Sequence, residues 1–276
     1  MAFSTSSYHN NNIPGNIDLA KFNIRESVTS PTYALGTRVN LSDGRSFRYA
    51  QFGAATTRAR LVSMDVSAMT PSAAAATTLG IIAPVSSNTT SDGTSGQRFV
   101  QFTLSGMSVN ELAGGYFHTA DSTGEGYTYR IKGNTATSTP ATGDVRIELY
   151  DKLEEEVAST TSVFLMGSLY ADLKEADTSG TDSLIAGITT ANHATTGKFG
   201  WVQTWGPGAV EVGTESGDIT AGMVLTAGTG SAGVVMNMGG APTTASTTFA
   251  LEPIVGVAMN SCLSTSHILA DIKITP

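Results

Sequence analysis

Short apolar runs broken by glycine-rich turns constrain this chain more than any other feature. Candidate strands of four to eight residues recur about every 8–15 residues, a spacing typical of all-β sandwiches and barrels. No helical period is sustained. Leu, Glu, Lys and Arg are scarce, Thr, Gly and Val fill their place, and charged residues reach only 14% of 276. Such composition favours strands over helices, while 40% apolar residues suffice for a core. The expected fold is mainly β, in barrel or sandwich modules with an extended N-terminal arm and at most a few short helices.

The clearest local signal is a hairpin. LGTRVNL at 35–41 and RSFRYAQF at 45–52 flank Asp43 and Gly44, and an Asp-Gly pair supplies the backbone angles a tight turn needs. Phe47 and Tyr49 then share one face and Arg48 takes the other. Further strands are expected at 81–85, 98–104, 115–119, 126–131 and 145–150. In the run at 98–104, Val100, Phe102 and Leu104 face one way; in VRIELY, Val145, Ile147 and Leu149 do so. The run 58–69 reads as a strand or short helix, 71–78 as a helical turn or link, and 151–176 as the one segment to hold short helices, at 151–156 and 169–175. The last hundred residues read as strand and turn, with KFGWVQTW ending at Gly206, Pro207 and Gly208. Trp201 and Trp205, four apart on an extended strand, are expected to share a face, in the core or at a subunit contact together with Phe47 and Tyr49.

Three segments follow from this pass: an arm at 1–30, a β-rich domain with insertions at 31–198, and a C-terminal barrel-like module at 199–276. The arm resists regular structure, yet it carries Ile13, Ile17, Leu19, Phe22 and Ile24, apolar residues suited to an anchoring strap on a neighbouring surface.

Several kinds of chemistry are disfavoured. A net charge of -8 argues against nucleic acid, which needs a clustered cationic surface; Arg38, Arg45, Arg48, Arg58 and Arg60 read as solvated faces or ion pairs. A single Cys262 permits no internal disulfide or cysteine-based metal site, and is expected to be a buried or half-buried spectator. The four His residues stand far apart, with His193 expected on the surface of a polar loop. No Gly-x-Ser-x-Gly, phosphate loop or dinucleotide fingerprint occurs, so neither an enzyme nor a cofactor is expected. The first residues carry no basic segment or apolar run and no stretch is long enough to span a bilayer, so the expectation is cytoplasmic synthesis without a membrane partner.

The segment GWVQTWGPGAV at 200–210 resembles one in small tailed-phage head proteins. There it precedes a β module whose order is matched here by ITAGMVL at 219–225, GVV at 233–235, IVGVA at 254–258 and HILADIKI at 267–274. The hairpin at 35–52 is similar to the opening of structural proteins from marine and cyanobacterial phages. The resemblance covers 35–52 and 199–275. It implies a capsid decoration (cement) protein: a non-enzymatic homotrimer on the outer face of an icosahedral head, clamping neighbouring major capsid protein subunits, and thus located on the virion surface. A major capsid subunit, a tail component or a receptor-binding tip is the alternative within the same class.

Overall fold

The computed structural model describes residues 22–65, 81–82, 92–120, 123–137, 143–157, 161–178, 183–238 and 253–275. Ile13, Ile17 and Leu19 of the expected arm and the run 71–78 lie outside the described residues. The fold is mainly β, with no helix of seven or more residues among them. Two compact units divide the chain, Met1–Val66 with Tyr170–Pro276, and Ser67–Leu169 inserted between. The division differs from the expected boundary at 198–199, because the strand that begins there is the centre of the first unit's sheet.

That strand is β13 (Lys198–Glu211). Its residues Phe199 and Gly200 pair on one edge with β3 (Ser46–Phe52) and on the other with β1 (Ser27–Val28). Val202 and Gln203 pair with β3 and with β12 (Ser183–Thr189). Its second half pairs with β17 (His267–Lys273). Outward from β12 lie β4 (Leu61–Asp65) and β11 (Lys174–Glu175); beyond β17 lie β16 (Ile254–Ala258), β14 (Val224–Ala227) and β15 (Val235–Asn237). The expected hairpin forms: β2 (Arg38–Asn40) runs antiparallel to β3, and Gly44 at the turn has φ +86°.

Sequence reading ends a strand at Gly206-Pro207-Gly208, but β13 runs through it. Val212 N–H donates to Ser266 O at 2.9 Å and Ile274 N–H to Thr204 O at 3.1 Å, so the even-numbered backbone groups face β17. The missing N–H of Pro207 therefore falls on the opposite edge and removes no ladder bond. The Gln203 side-chain amide covers that stretch, donating to the carbonyls of Trp205, Gly206 and Pro207 at 3.1, 3.1 and 2.9 Å. Gly206, at φ +82°, sits where a Cβ would lie 2.7 Å from Gly44 O, an approach that only glycine permits.

The inserted unit is a six-stranded antiparallel sheet. Its order is β5 (Ile81–Ile82), β10 (Val163–Met166), β7 (Tyr116–Thr119), β8 (Thr128–Asn134), β9 (Gly143–Leu149), β6 (Phe99–Leu104). The expected alternation holds: Val100, Phe102 and Leu104 meet Val145, Ile147 and Leu149 in a core completed by Phe117, Ile131, Val163 and Leu165. Each deeply buried Leu, Val, Ile or Phe contributes roughly 1.5–3 kcal/mol.

The helices expected at 151–156 and 169–175 do not form. Leu153 and Val157 are spaced for a helix face, but their N–H groups donate to Gln97 O and Gly93 O at 2.7 and 2.8 Å. At the second segment Gln51 N–H donates to Tyr170 O at 2.8 Å and Leu173 N–H donates to Gln51 O at 2.9 Å. In both places a neighbouring segment takes the donors a helix would use internally, overriding weak local propensity. Within the 58–69 run, Leu61–Asp65 forms strand β4 and 58–59 form a turn ahead of it.

Candidate functional site

Binding surfaces in a sheet protein are set by strand parity, and parity in β13 changes midway. Trp201 lies opposite Tyr49 and Gln203 opposite Phe47, but Trp205 lies opposite Ser46. One extra residue in β13 makes a bulge there, and a one-residue slip reverses which side a strand's residues face. Trp205 consequently leaves the face of Trp201, which corrects the expectation that the two share one.

Trp201 is fully buried in an aromatic cluster with Phe47 and Tyr49. Ring centroids of Phe22, Tyr33 and Tyr49 lie 5.0, 5.3 and 5.0 Å from it, the Phe22 and Tyr49 contacts edge-on, the geometry that aromatic quadrupoles favour. Its Nε1–H donates to Glu26 Oε2 at 3.3 Å. Burial pushes the Tyr49 phenol upward from its ordinary pKa, and its hydroxyl accepts from Thr32 N–H at 3.1 Å. Phe22 and Ile24, expected to anchor an arm on a neighbouring surface, are half-buried against this cluster of their own chain. Residues 22–33 are thus a strap across the sheet.

Beneath the strap lies His193. It is 1% exposed, not on the surface as its polar neighbours imply, because Thr56 and His193 exchange backbone hydrogen bonds of 2.9 and 2.8 Å. Its ring stacks on Phe52 at 3.6 Å between centroids and 18° between planes. Nδ1 and Ser27 Oγ are hydrogen-bonded at 3.1 Å, while Nε2 is buried with no hydrogen-bond partner. Desolvation, and secondarily the Lys198 charge, lowers its pKa to about 4.

On the face turned away from Trp201, the residues Trp205, Pro207 and Ala209 alternate with the buried Gly206, Gly208 and Val210. Ala209 lies opposite Leu269, Pro207 opposite Asp271, Asp271 opposite Val257, and Val257 opposite Val224. Met259 N–H donates to Leu269 O at 2.8 Å. Leu269 and Met259 are 44% and 47% exposed, Trp205 half-buried. The outward face across β13, β17, β16 and β14 therefore carries an apolar patch of Trp205, Pro207, Ala209, Leu269, Val257 and Val224, bordered by the Asp271–Lys273 pair at 3.2 Å and by His267 beside Glu211.

The arginines of the expected cluster are mostly engaged within the chain. Arg45 pairs with Asp43 at 2.8 Å, Arg48 donates to Gly36 O at 3.2 Å, and Arg60 pairs with Glu211 at 3.1 Å. In the inserted unit Arg146 grips the buried Asp92 through both carboxylate oxygens, at 2.7 and 2.9 Å. The same guanidinium lies 3.8 Å over the Phe99 ring, and the Asp92 hydrogen bond holds its pKa above the usual arginine value. His118 and His267 stand apart, bonded to Thr128 and 3.9 Å from Glu211. Cys262 is half-buried, and burial raises its thiol pKa. Among the described residues no three His, Cys, Asp or Glu side chains meet as a metal-holding group, and no helix is long and apolar enough to cross a membrane.

The sequence pattern located Trp201, Phe47 and Tyr49 as candidate core or subunit-contact residues, and the pairing of β3 with β13 brings them together. The pattern predicted a strap, but on a neighbouring surface, whereas Phe22 and Ile24 pack on their own chain, and it missed the outward apolar patch, whose residues are spread over strands distant in sequence. Comparison with protein-family models, curated proteins and solved structures found no match.

Proposed function

We propose that this protein is a structural component of a tailed-phage virion, a decoration protein that binds the outer surface of the icosahedral head. It acts as a homotrimer, clamps neighbouring major capsid protein subunits and performs no reaction. The observation that carries the reading is the outward apolar face of the larger sheet, built around Trp205, Ala209, Leu269 and Met259. Leu269 and Met259 are each more than 40% exposed, and aggregated exposed apolar area on a protein with so few charges fits a binding surface. The resemblance of 35–52 and 199–275 to phage head proteins supplies the partner.

The physical logic is multivalent. A shell under internal pressure is held by many modest contacts, and a clamp across several subunits adds interfaces that must break together. A net charge of -8 favours solubility before assembly and disfavours binding to the packaged DNA.

Co-sedimentation of the purified protein with undecorated heads tests the reading. Saturable binding that falls at least tenfold in affinity with Trp205→Ala and Leu269→Ser combined is expected, with light scattering giving three times 28.5 kDa. Heads that bind none of the wild-type protein would overturn it; binding to purified tails instead would move the chain to another part of the virion.

A further inference from the structure

The strap and the histidine beneath it share a geometry that responds to protons. Three elements enclose the His193 ring: Phe52 of β3 stacks on one side, Ser27 of β1 meets Nδ1, and Gly200 of β13 lies against its edge. A Cβ built on Gly200 would stand 2.5 Å from both His193 Cε1 and Glu26 O, so the ring and the strap backbone converge on one glycine. The strap is tied down nearby by Thr190 Oγ1 donating to Ile24 O, and by Trp201 donating to Glu26. Whichever tautomer the ring adopts, one nitrogen has a partner in Ser27 and the other, Nε2, has none.

A second proton makes both ring nitrogens donors and leaves a charged N–H buried without an acceptor, a state that a protein interior penalises heavily. The charged groups around the ring offer no relief. Lys198 of β13 is itself cationic and opposes protonation. Glu26 of the strap has its carboxylate committed to Trp201 Nε1 and Thr32 Oγ1. The nearby side chains of Phe52, Thr56 and Ser27 carry no charge. Water becomes the acceptor once the strap lifts, since β1 is a two-residue strand and the cheapest element of this enclosure to detach.

We propose that residues 22–33 form an acid-released strap, held over β13 while His193 is neutral and freed when the ring takes up its second proton. The device stands independently of any role on a phage head. Protons bind the open form more tightly than the closed one, so closure is full at neutral pH and is lost as pH falls below the ordinary histidine range. With the ring titrating near 4 when covered and near 6.5 when open, the closed-to-open ratio drops about 30-fold between pH 7.5 and 5.

The test uses the full-length protein. Amide hydrogen exchange at Ser27 and Val28, corrected for intrinsic rates, is followed from pH 7.5 to 4.5 alongside the His193 Cε1–H resonance and the emission of Trp201 in a Trp205→Phe background. Expected are a rise of about 30-fold in exchange by pH 5, a red shift of Trp201, and unchanged protection of β17. His193→Gln, uncharged throughout, abolishes the pH dependence whether its strap rests closed or open. Ser27→Ala, which removes the Nδ1 partner alone, raises the midpoint. The same acid step in His193→Gln, an unmoved midpoint in Ser27→Ala, or β17 losing protection together with β1 would each overturn the proposal.

Discussion

The two units solve one problem, the burial of an ionisable side chain, in opposite ways. The inserted unit buries the Asp92 carboxylate and meets it with two N–H donors of Arg146, a charge-assisted fork of paired hydrogen bonds. The larger unit buries His193 with a hydroxyl on one nitrogen and nothing on the other, which holds the ring neutral by desolvation. A paired charge stiffens its surroundings. An unpartnered neutral ring stores a response, because one added proton reverses its fit.

The comparison can be broken first at the aromatic cluster. Trp201→Ala removes the ring on which Phe22, Tyr33 and Tyr49 converge and should cost the larger unit about 3–5 kcal/mol in urea unfolding, without changing hydrogen-exchange protection of β9. Equal loss in both units would show that they unfold as one.

Acid comes next. His193 binds fewer protons folded than unfolded, since its folded pKa is about 4 against about 6.5 free. The larger unit should therefore be at full strength above pH 6.5 and lose roughly 3 kcal/mol between there and pH 4. Denaturation midpoints of wild type and His193→Gln across this window check it, the variant lacking that increment. Asp92→Asn sharpens the contrast from the other side. It keeps the shape but removes the charge from the fork on Arg146, and a loss of about 1.5–3 kcal/mol confined to the inserted unit is expected, read from the exchange of β6 and β9 amides.

Glycine positions give a smaller effect. A Cβ at Gly208 would meet Ile272 Cδ1 at 2.5 Å and Gln203 Oε1 at 2.7 Å, so Gly208→Ala should cost about 1–3 kcal/mol through crowding of a packed core. The smallest change belongs to the outward face: Leu269→Ser should alter stability by no more than about 0.5 kcal/mol, because that side chain is 44% exposed. A large loss of stability there would mean that the face is covered within the free protein.

Much of the strand pattern was legible because it is local. Alternation in FVQFTL and VRIELY, and Asp43-Gly44 between two apolar runs, needs no partner to be recognised, and these became β6, β9 and the β2–β3 hairpin. The segments read as helices failed for the complementary reason. Leu153, Val157 and Leu173 sit at helix-compatible positions, yet their backbone donors are taken by Gln97, Gly93 and Gln51, residues that no local window contains. His193 was misplaced in the same way, since its polar neighbours say nothing of Phe52 or Ser27.

By itself, then, the amino-acid order determined that this chain would be built mainly of strands and turns, and which side chains regular strands such as β6 and β9 would bury, because side-chain alternation and turn chemistry act over a few residues. Tertiary structure alone decided where β13 continues past its proline, which way Trp205 faces, and that a histidine in a polar loop lies beneath a strap. Those outcomes depend on which distant backbone groups satisfy one another, and a single register slip between paired strands is enough to reverse them.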